Sequence, residues 1–239
     1  MSDYFDHPGL NWSSLVRGRK GRKCDIMLAM SRKEVKDSEA LRLGTAFHEL
    51  LLQGEVKSYA IKTGCKTTTI PDTITDYQLA CVSNWANAVR DACREKKITW
   101  DPESAERAFF WEYEGVSCKA KIDCLDQEYI IDFKTTDDPE PRAFYWDLRD
   151  YAGQLAWYSF GFQMAYGERR PGMIIAVQKH LPNKVFFYRF PVHVLVDVFE
   201  NDVKPLFRKY KDDTDTTVFD MTAEWAGEKG LVVGEGEMF

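Results

Sequence analysis

Apolar residues recur at helical spacing twice in the first hundred positions. Over Ser38–Gln53, Leu41, Ala46, Phe47, Leu50 and Leu51 fall near one face; over 74–96, Leu79, Val82, Trp85, Ala86 and Val89 form a second stripe. Both stretches read as helices. Between them, 59–73 is rich in threonine and ends in the turn-like Pro71-Asp72, so it reads as an irregular connection. The period then shortens. Ala105–Tyr113 alternates and is aromatic, and Val116–Leu125 follows the pair Glu114-Gly115, which suits a hairpin turn. Glu128–Lys134 is a third short apolar run. Pro139 and Pro141 mark a break and a helix start, and the helix over about 142–165 carries Phe144, Leu148, Tyr151, Leu155, Tyr158 and Phe162. Two more strands fit 172–179 and 184–190, around Leu181-Pro182-Asn183, and 193–210 reads as a last amphipathic helix. This order predicts an α/β fold with a mixed central sheet flanked by helices.

Composition narrows the class. The chain has 239 residues, 44% hydrophobic and 29% charged, which is ordinary for a globular protein and enough for one substantial core. We expect a single domain over 1–239, with an N-terminal segment at 1–37 and an acidic, Gly-rich tail at 211–239. No run of about 18 apolar residues occurs, and MSDYFDHPGLNWSS lacks the pattern of a secretory leader. No membrane partner and a cytoplasmic location are therefore expected. The six cysteines stand at 24, 65, 81, 93, 118 and 124 with no CxxC pair, and are read as reduced thiols. A net charge of −6 argues weakly against nucleic-acid binding, but charge is uneven. Arg17, Arg19, Lys20, Arg22 and Lys23 form a basic run that suits phosphate contact or, more simply, a solvated arm.

Candidate chemistry concentrates in AKIDCLDQEYIIDFKTT, residues 120–136. Asp123 ends one predicted strand. Asp132 and Lys134 lie two apart on the next, hence on one face. A hairpin can bring Asp123 beside them. Two carboxylates with Mg²⁺ can activate water and clamp oxygens, and an adjacent lysine can orient that water or stabilise developing charge. D-x-K alone could equally be a surface ion pair, worth little.

The surrounding motifs carry a resemblance. GLNWSSL, EALRLGTAFHELLL, AKIDCLD, IIDFKTT and QLAWY stand in the order found in the PD-(D/E)XK nuclease superfamily. Within it, the chain resembles the RecE-type (exonuclease VIII) phage and prophage exonucleases and is similar to RecB-type nuclease domains. The resemblance implies a restriction-endonuclease-like core and metal ligation by His48, Asp123 and Asp132 with the main-chain carbonyl of Phe133. It also implies a catalytic Lys134, supported by Gln154 and Tyr158. Imidazole, carboxylates and water suit Mg²⁺ or Mn²⁺, and Gln154 and Tyr158, four apart, share one helix face. Glu106, Glu112 and Glu114 are candidates for an extra carboxylate, Glu106 first. Glu49 is expected to be exposed or to support His48. The sequence departs from the superfamily pattern in having Ile122, not proline, before Asp123.

The first expectation is a DNA exonuclease acting on duplex ends in phage-type recombination or repair, with a single-strand annealing protein as partner and a homo-oligomeric ring as assembly. These features follow from the resemblance alone, as does a phage or prophage origin in a bacterial host. An iron–sulfur relative would need cysteines after the Q-x-x-x-Y helix, and none lie beyond Cys124. The alternative is a non-catalytic or differently specific nucleic-acid-binding member of the fold, such as an endonuclease or single-strand nuclease.

Overall fold

A computed structural model describes residues 4, 6–17, 38–100, 102 and 105–212. Of the basic run, Arg17 is described and exposed; Arg19, Lys20, Arg22 and Lys23 lie outside the described residues, as does the tail from 213.

Helix α1 spans Trp12–Arg17 and helix α2 spans Glu39–Gln53. Ser38 caps α2 by accepting the Leu41 N–H at 3.2 Å, and Gly54, at φ +86°, ends it. The predicted irregular connection instead holds two three-residue strands, β1 (Ala60–Lys62) and β2 (Thr73–Thr75), paired in parallel. Their shortness hid them: three residues show no periodicity, and β1 is exposed while β2 is buried. β2 runs straight into α3, Asp76–Lys96, through a capping box in which the Thr75 hydroxyl accepts the Gln78 N–H and the Gln78 amide oxygen accepts the Thr75 N–H.

The expected hairpin follows as β3 (Ala108–Tyr113) and β4 (Val116–Lys121), antiparallel with Tyr113 opposite Val116. Glu114 and Gly115 both have positive φ, as the tight two-residue turn requires. The predicted strand 116–125 is broken: β4 stops at Lys121 and a two-residue β5, Cys124–Leu125, resumes after Ile122-Asp123. β5 pairs antiparallel with β6 (Ile130–Thr136), β6 parallel with β7 (Gly172–Gln178), and β7 antiparallel with β8 (Val185–Phe190). The sheet is mixed, as the sequence predicts. Between β6 and β7 runs α4, Tyr145–Tyr166, as the right-sized crossover for a parallel pair. The predicted final helix is α5 (Val192–Val198), a π-helical turn (Phe199–Val203) and α6 (Lys204–Asp212). Among the described residues no helix is long and apolar enough to cross a membrane.

Alternation along β6 and β7 divides the core. Ile131, Phe133, Met173, Ile175 and Val177 face α2 and α3, where Phe47, Leu51, Val82, Trp85 and Val89 are buried. Ile130, Ile174 and Ala176 face α4 and the hairpin, where Trp157, Phe109, Trp111, Phe144 and Phe199 are buried. Asp132 is opposite Ile174 and Lys134 opposite Ala176, so both face the α4 layer. A carboxylate and an ammonium thus interrupt an otherwise apolar face at its C-terminal end. The described cysteines at 65, 81, 93, 118 and 124 are free thiols, as expected.

Candidate active site

The break at Ile122-Asp123 makes the site. Where β5 pairing ends, the outward N–H and C=O of Phe133 on β6 lose a ladder partner. A buried peptide group must be satisfied elsewhere. Asp123 fills the gap: its Oδ2 accepts the Phe133 N–H at 2.8 Å. The Phe133 carbonyl, on the same strand edge, faces His48 Nε2 at 3.1 Å. His48 Nδ1 stands 3.3 Å from Asp123 Oδ1. Since both ring nitrogens face acceptors, a protonated imidazole donates to both. Burial opposes that charge, but Asp123 outweighs it and raises His48 above its usual range. Burial likewise opposes ionisation of Asp123, yet His48, Lys134 and the Phe133 amide hold its carboxyl below the usual carboxylate range.

Asp132 lies at the floor, 1% exposed. Its Oδ2 takes no hydrogen bond of good geometry; the Lys134 ammonium stands 2.5 Å away as counter-charge. Burial and the neighbouring Asp123 charge push Asp132 up to about 6, against the opposing pull of Lys134. Lys134 is raised: burial favours the neutral amine, but Asp132 and Asp123 win. Its ammonium also sits over the Tyr151 ring, 4.9 Å from the centroid. Tyr151 reads from the sequence as a packing residue only; aromatic capping of a lysine needs the register of α4 against β6, which no motif shows.

From α4, Gln154 Nε2 donates to the Tyr158 hydroxyl at 2.7 Å. Burial, then the negative charges of Asp132 and Asp123, push the Tyr158 phenol well up, so it remains a neutral hydrogen-bonding group. Side chains of His48, Lys134 and Asp123 retain 24%, 20% and 16% exposure, so the floor is reached from solvent along one side.

The structure therefore gathers His48, Asp123, Asp132, Phe133, Lys134, Gln154 and Tyr158 around one strand edge. Glu106 is near in the backbone, its N–H bonding the Asp123 carbonyl at 2.7 Å, but its carboxylate is held by Gln53 and Lys121, each at 2.9 Å. Glu112 is exposed opposite Ser117, and Glu114 pairs with Lys211. Glu49 accepts the N–H groups of Lys57 and Ser58, fixing the chain after α2. Arg17 is exposed at the end of α1, and its role in phosphate contact is a proposal.

Among the described residues no three imidazole, thiolate or carboxylate groups are drawn together at metal-ligand distances. Instead Asp132 is turned to Lys134, and Asp123 to His48 and the Phe133 amide. The donor set nevertheless fits a hard divalent cation: two carboxylates, one peptide oxygen and one imidazole. Asp132, whose charge is disfavoured by burial, is the group that such a cation would relieve most.

No curated protein matches the sequence. In the solved structures, the chain is similar to a candidate exonuclease of Eubacterium rectale, at 14% identity over 97% of this chain and 91% of that one, with a TM-score of 0.60. It is also similar to an alkaline exonuclease of Laribacter hongkongensis, at 12% identity over 96% and 100%, with a TM-score of 0.51. These likenesses show the fold. A family model described as a PDDEXK-like domain of unknown function, DUF3799, matches residues 21–222. With the mixed sheet, the broken strand at Asp123 and the D-x-K edge in place, this chain belongs to that PDDEXK-like family.

Proposed function

We propose that the protein is a divalent-metal-dependent deoxyribonuclease, an exonuclease that hydrolyses phosphodiester bonds at duplex DNA ends. The observation that carries this is the juxtaposition on one strand edge of Asp123, Asp132, His48 and the Phe133 carbonyl with the Lys134 ammonium. His48, Asp123, Asp132 and the Phe133 carbonyl would hold Mg²⁺ or Mn²⁺, which supplies a polarised phosphate oxygen and an acidified water.

The remaining work falls to this chain's own groups. Lys134 would hold the attacking water and offset charge on the phosphoryl oxygens. Tyr151 confines the ammonium from below by its ring face. Gln154 and Tyr158 keep neutral donors beside the carboxylates, orienting without adding charge. The exonuclease reading, over endonuclease, is supported by the names of the two structural neighbours. A role in recombination with a single-strand annealing partner, and a ring assembly, belong to the same reading.

The test is degradation of end-labelled linear duplex DNA in Mg²⁺, Mn²⁺ and chelator, beside a covalently closed circle of the same sequence. The linear form alone should shorten, only with metal, and Asp132→Ala and Lys134→Ala should abolish the reaction. If wild type and both variants behave alike, the assignment is wrong.

A further inference from the structure

Beside the catalytic face of α4 lies a second feature that the hydrolytic machinery does not use. A cleft of about 600 Å³ opens between the first turns of α4 and the π-turn with α6. Its walls include Trp146, Arg149, Asp150 and Gly153 on one side and Asn201, Asp202 and Lys209 on the other. That volume lies inside the range of about 300–1,000 Å³ common for ligand sites.

Trp146 is 70% exposed, whereas Trp12, Trp85, Trp111 and Trp157 are buried. Tyr145, itself 59% exposed, braces it edge-on with ring centroids 5.4 Å apart. Most of the Trp146 ring is therefore open to solvent, a surface on which a base can stack. The cations of the cleft, Arg149 and Lys209, fit phosphate. Asp150 and Asp202 would repel a bare polyphosphate, but with the Asn201 amide oxygen they can accept from the N–H groups on the Watson–Crick edge of an unpaired base, the thymine N3–H included. An aromatic plane, cations and edge acceptors together match a nucleotide whose base is out of a helix. A duplex buries those base edges and stacking faces.

The cleft also adjoins the candidate active site. Asp150 precedes Tyr151, whose ring caps Lys134, and Gly153 precedes Gln154. Successive helical residues point about 100° apart, so cleft and catalytic groups occupy adjoining faces of one helix. The π-turn that forms the opposite wall is a rare geometry that often occurs at functional sites.

We infer that the cleft walled by Trp146, Arg149 and Lys209 binds the unpaired strand of the DNA, stacking a base on Trp146 while the neighbouring site acts on duplex. The inference rests on the nuclease reading for its biological sense but is tested apart from it. Binding of fluorescein-labelled dT12 is followed by anisotropy in chelator, where no cleavage occurs, beside a blunt duplex of equal length. Trp146→Ala should weaken dT12 binding at least about fivefold, the low end for loss of one stacked base, and Trp146→Phe should restore most of it. Arg149→Ala with Lys209→Ala should flatten the dependence of log K on log salt by about 1.4, as expected for two single-strand phosphate contacts. Equal dT12 binding by wild type and Trp146→Ala, with thermal melts showing both folded, would overturn the inference. So would equal losses on dT12 and duplex, which would make the cleft a general DNA surface. Cleft-dependent dT12 binding by a wild type that degrades no DNA would uphold the cleft and overturn the catalytic assignment alone.

Discussion

Alanine at position 153 should destabilise this protein, against the rule for helices. Gly153 is inside α4, and replacing an interior helical glycine by alanine ordinarily gains about 1 kcal/mol. Here the added methyl carbon would lie 2.4 and 2.5 Å from two ring carbons of Trp12. Real Cβ atoms do not approach so closely, and an indole cannot fold aside as a flexible chain end can. Trp12 is 9% exposed and anchors α1 in the core, so the ring must be driven out or α4 must shift. Overpacking of this kind costs about 1–3 kcal/mol, and a rigid ring places it at the upper end. Subtracting the propensity gain leaves a loss of about 2 kcal/mol, or roughly 4–8 °C in Tm for a chain of this size. The matched control is Gly44 in α2, where a methyl carbon would meet nothing within 4 Å. Gly44→Ala should gain about 0.5–1 kcal/mol. Urea unfolding of both variants in chelator decides the matter. A Gly153→Ala protein more stable than wild type would refute the packing of α1 on the active-site helix. Because Gly153 adjoins Gln154, the variant should also lose nuclease activity at temperatures where it remains folded.

Three further outcomes follow from the site. Lys134→Ala leaves the buried Asp132 without its counter-charge, so it should lose about 3–5 kcal/mol in chelator, with part restored by Mn²⁺, while activity falls at least about a hundredfold; denaturation with and without metal reads this. His48→Ala should weaken Mn²⁺ binding in calorimetric titration and also lower the melting temperature in chelator, because buried Asp123 loses its partner; unchanged affinity would remove His48 from the ligand set. The pH dependence has a definite sign. Asp132 is raised to about 6 in the fold, so its proton is held more tightly folded than unfolded. Its contribution to metal-free stability is therefore full below about 4, the unfolded range, and lost as pH rises through 6. Wild type should lose more stability than Asp132→Asn between pH 4 and 7, measured by denaturant midpoints in chelator; parallel curves would show that Asp132 is not buried as described.

What the sequence determined by itself was the set of elements with strong periodicity and the residues with distinctive chemistry. α2, α3, α4, the 108–121 hairpin and β6 to β8 were legible because each repeats its pattern over enough residues to fix a period. The D-x-K spacing placed Asp132 and Lys134 on one face because strands alternate. Motif order brought in His48, Gln154 and Tyr158. Tertiary structure decided the rest. The break at Ile122-Asp123 lies within a run that looks continuous, since apolarity does not register where hydrogen-bond pairing stops; yet that break frees the Phe133 edge and aims Asp123 at it. β1 and β2 are too short to show a period and are defined by their parallel pairing. Tyr151 over Lys134, and Trp12 in the notch at Gly153, depend on how α4 lies against residues far away in the chain. The charge state of Asp132 likewise depends on a burial no local pattern reveals. Local sequence sets which groups are available and on which face. Their distances, and with them the pKa values and the chemistry, are set by long-range packing.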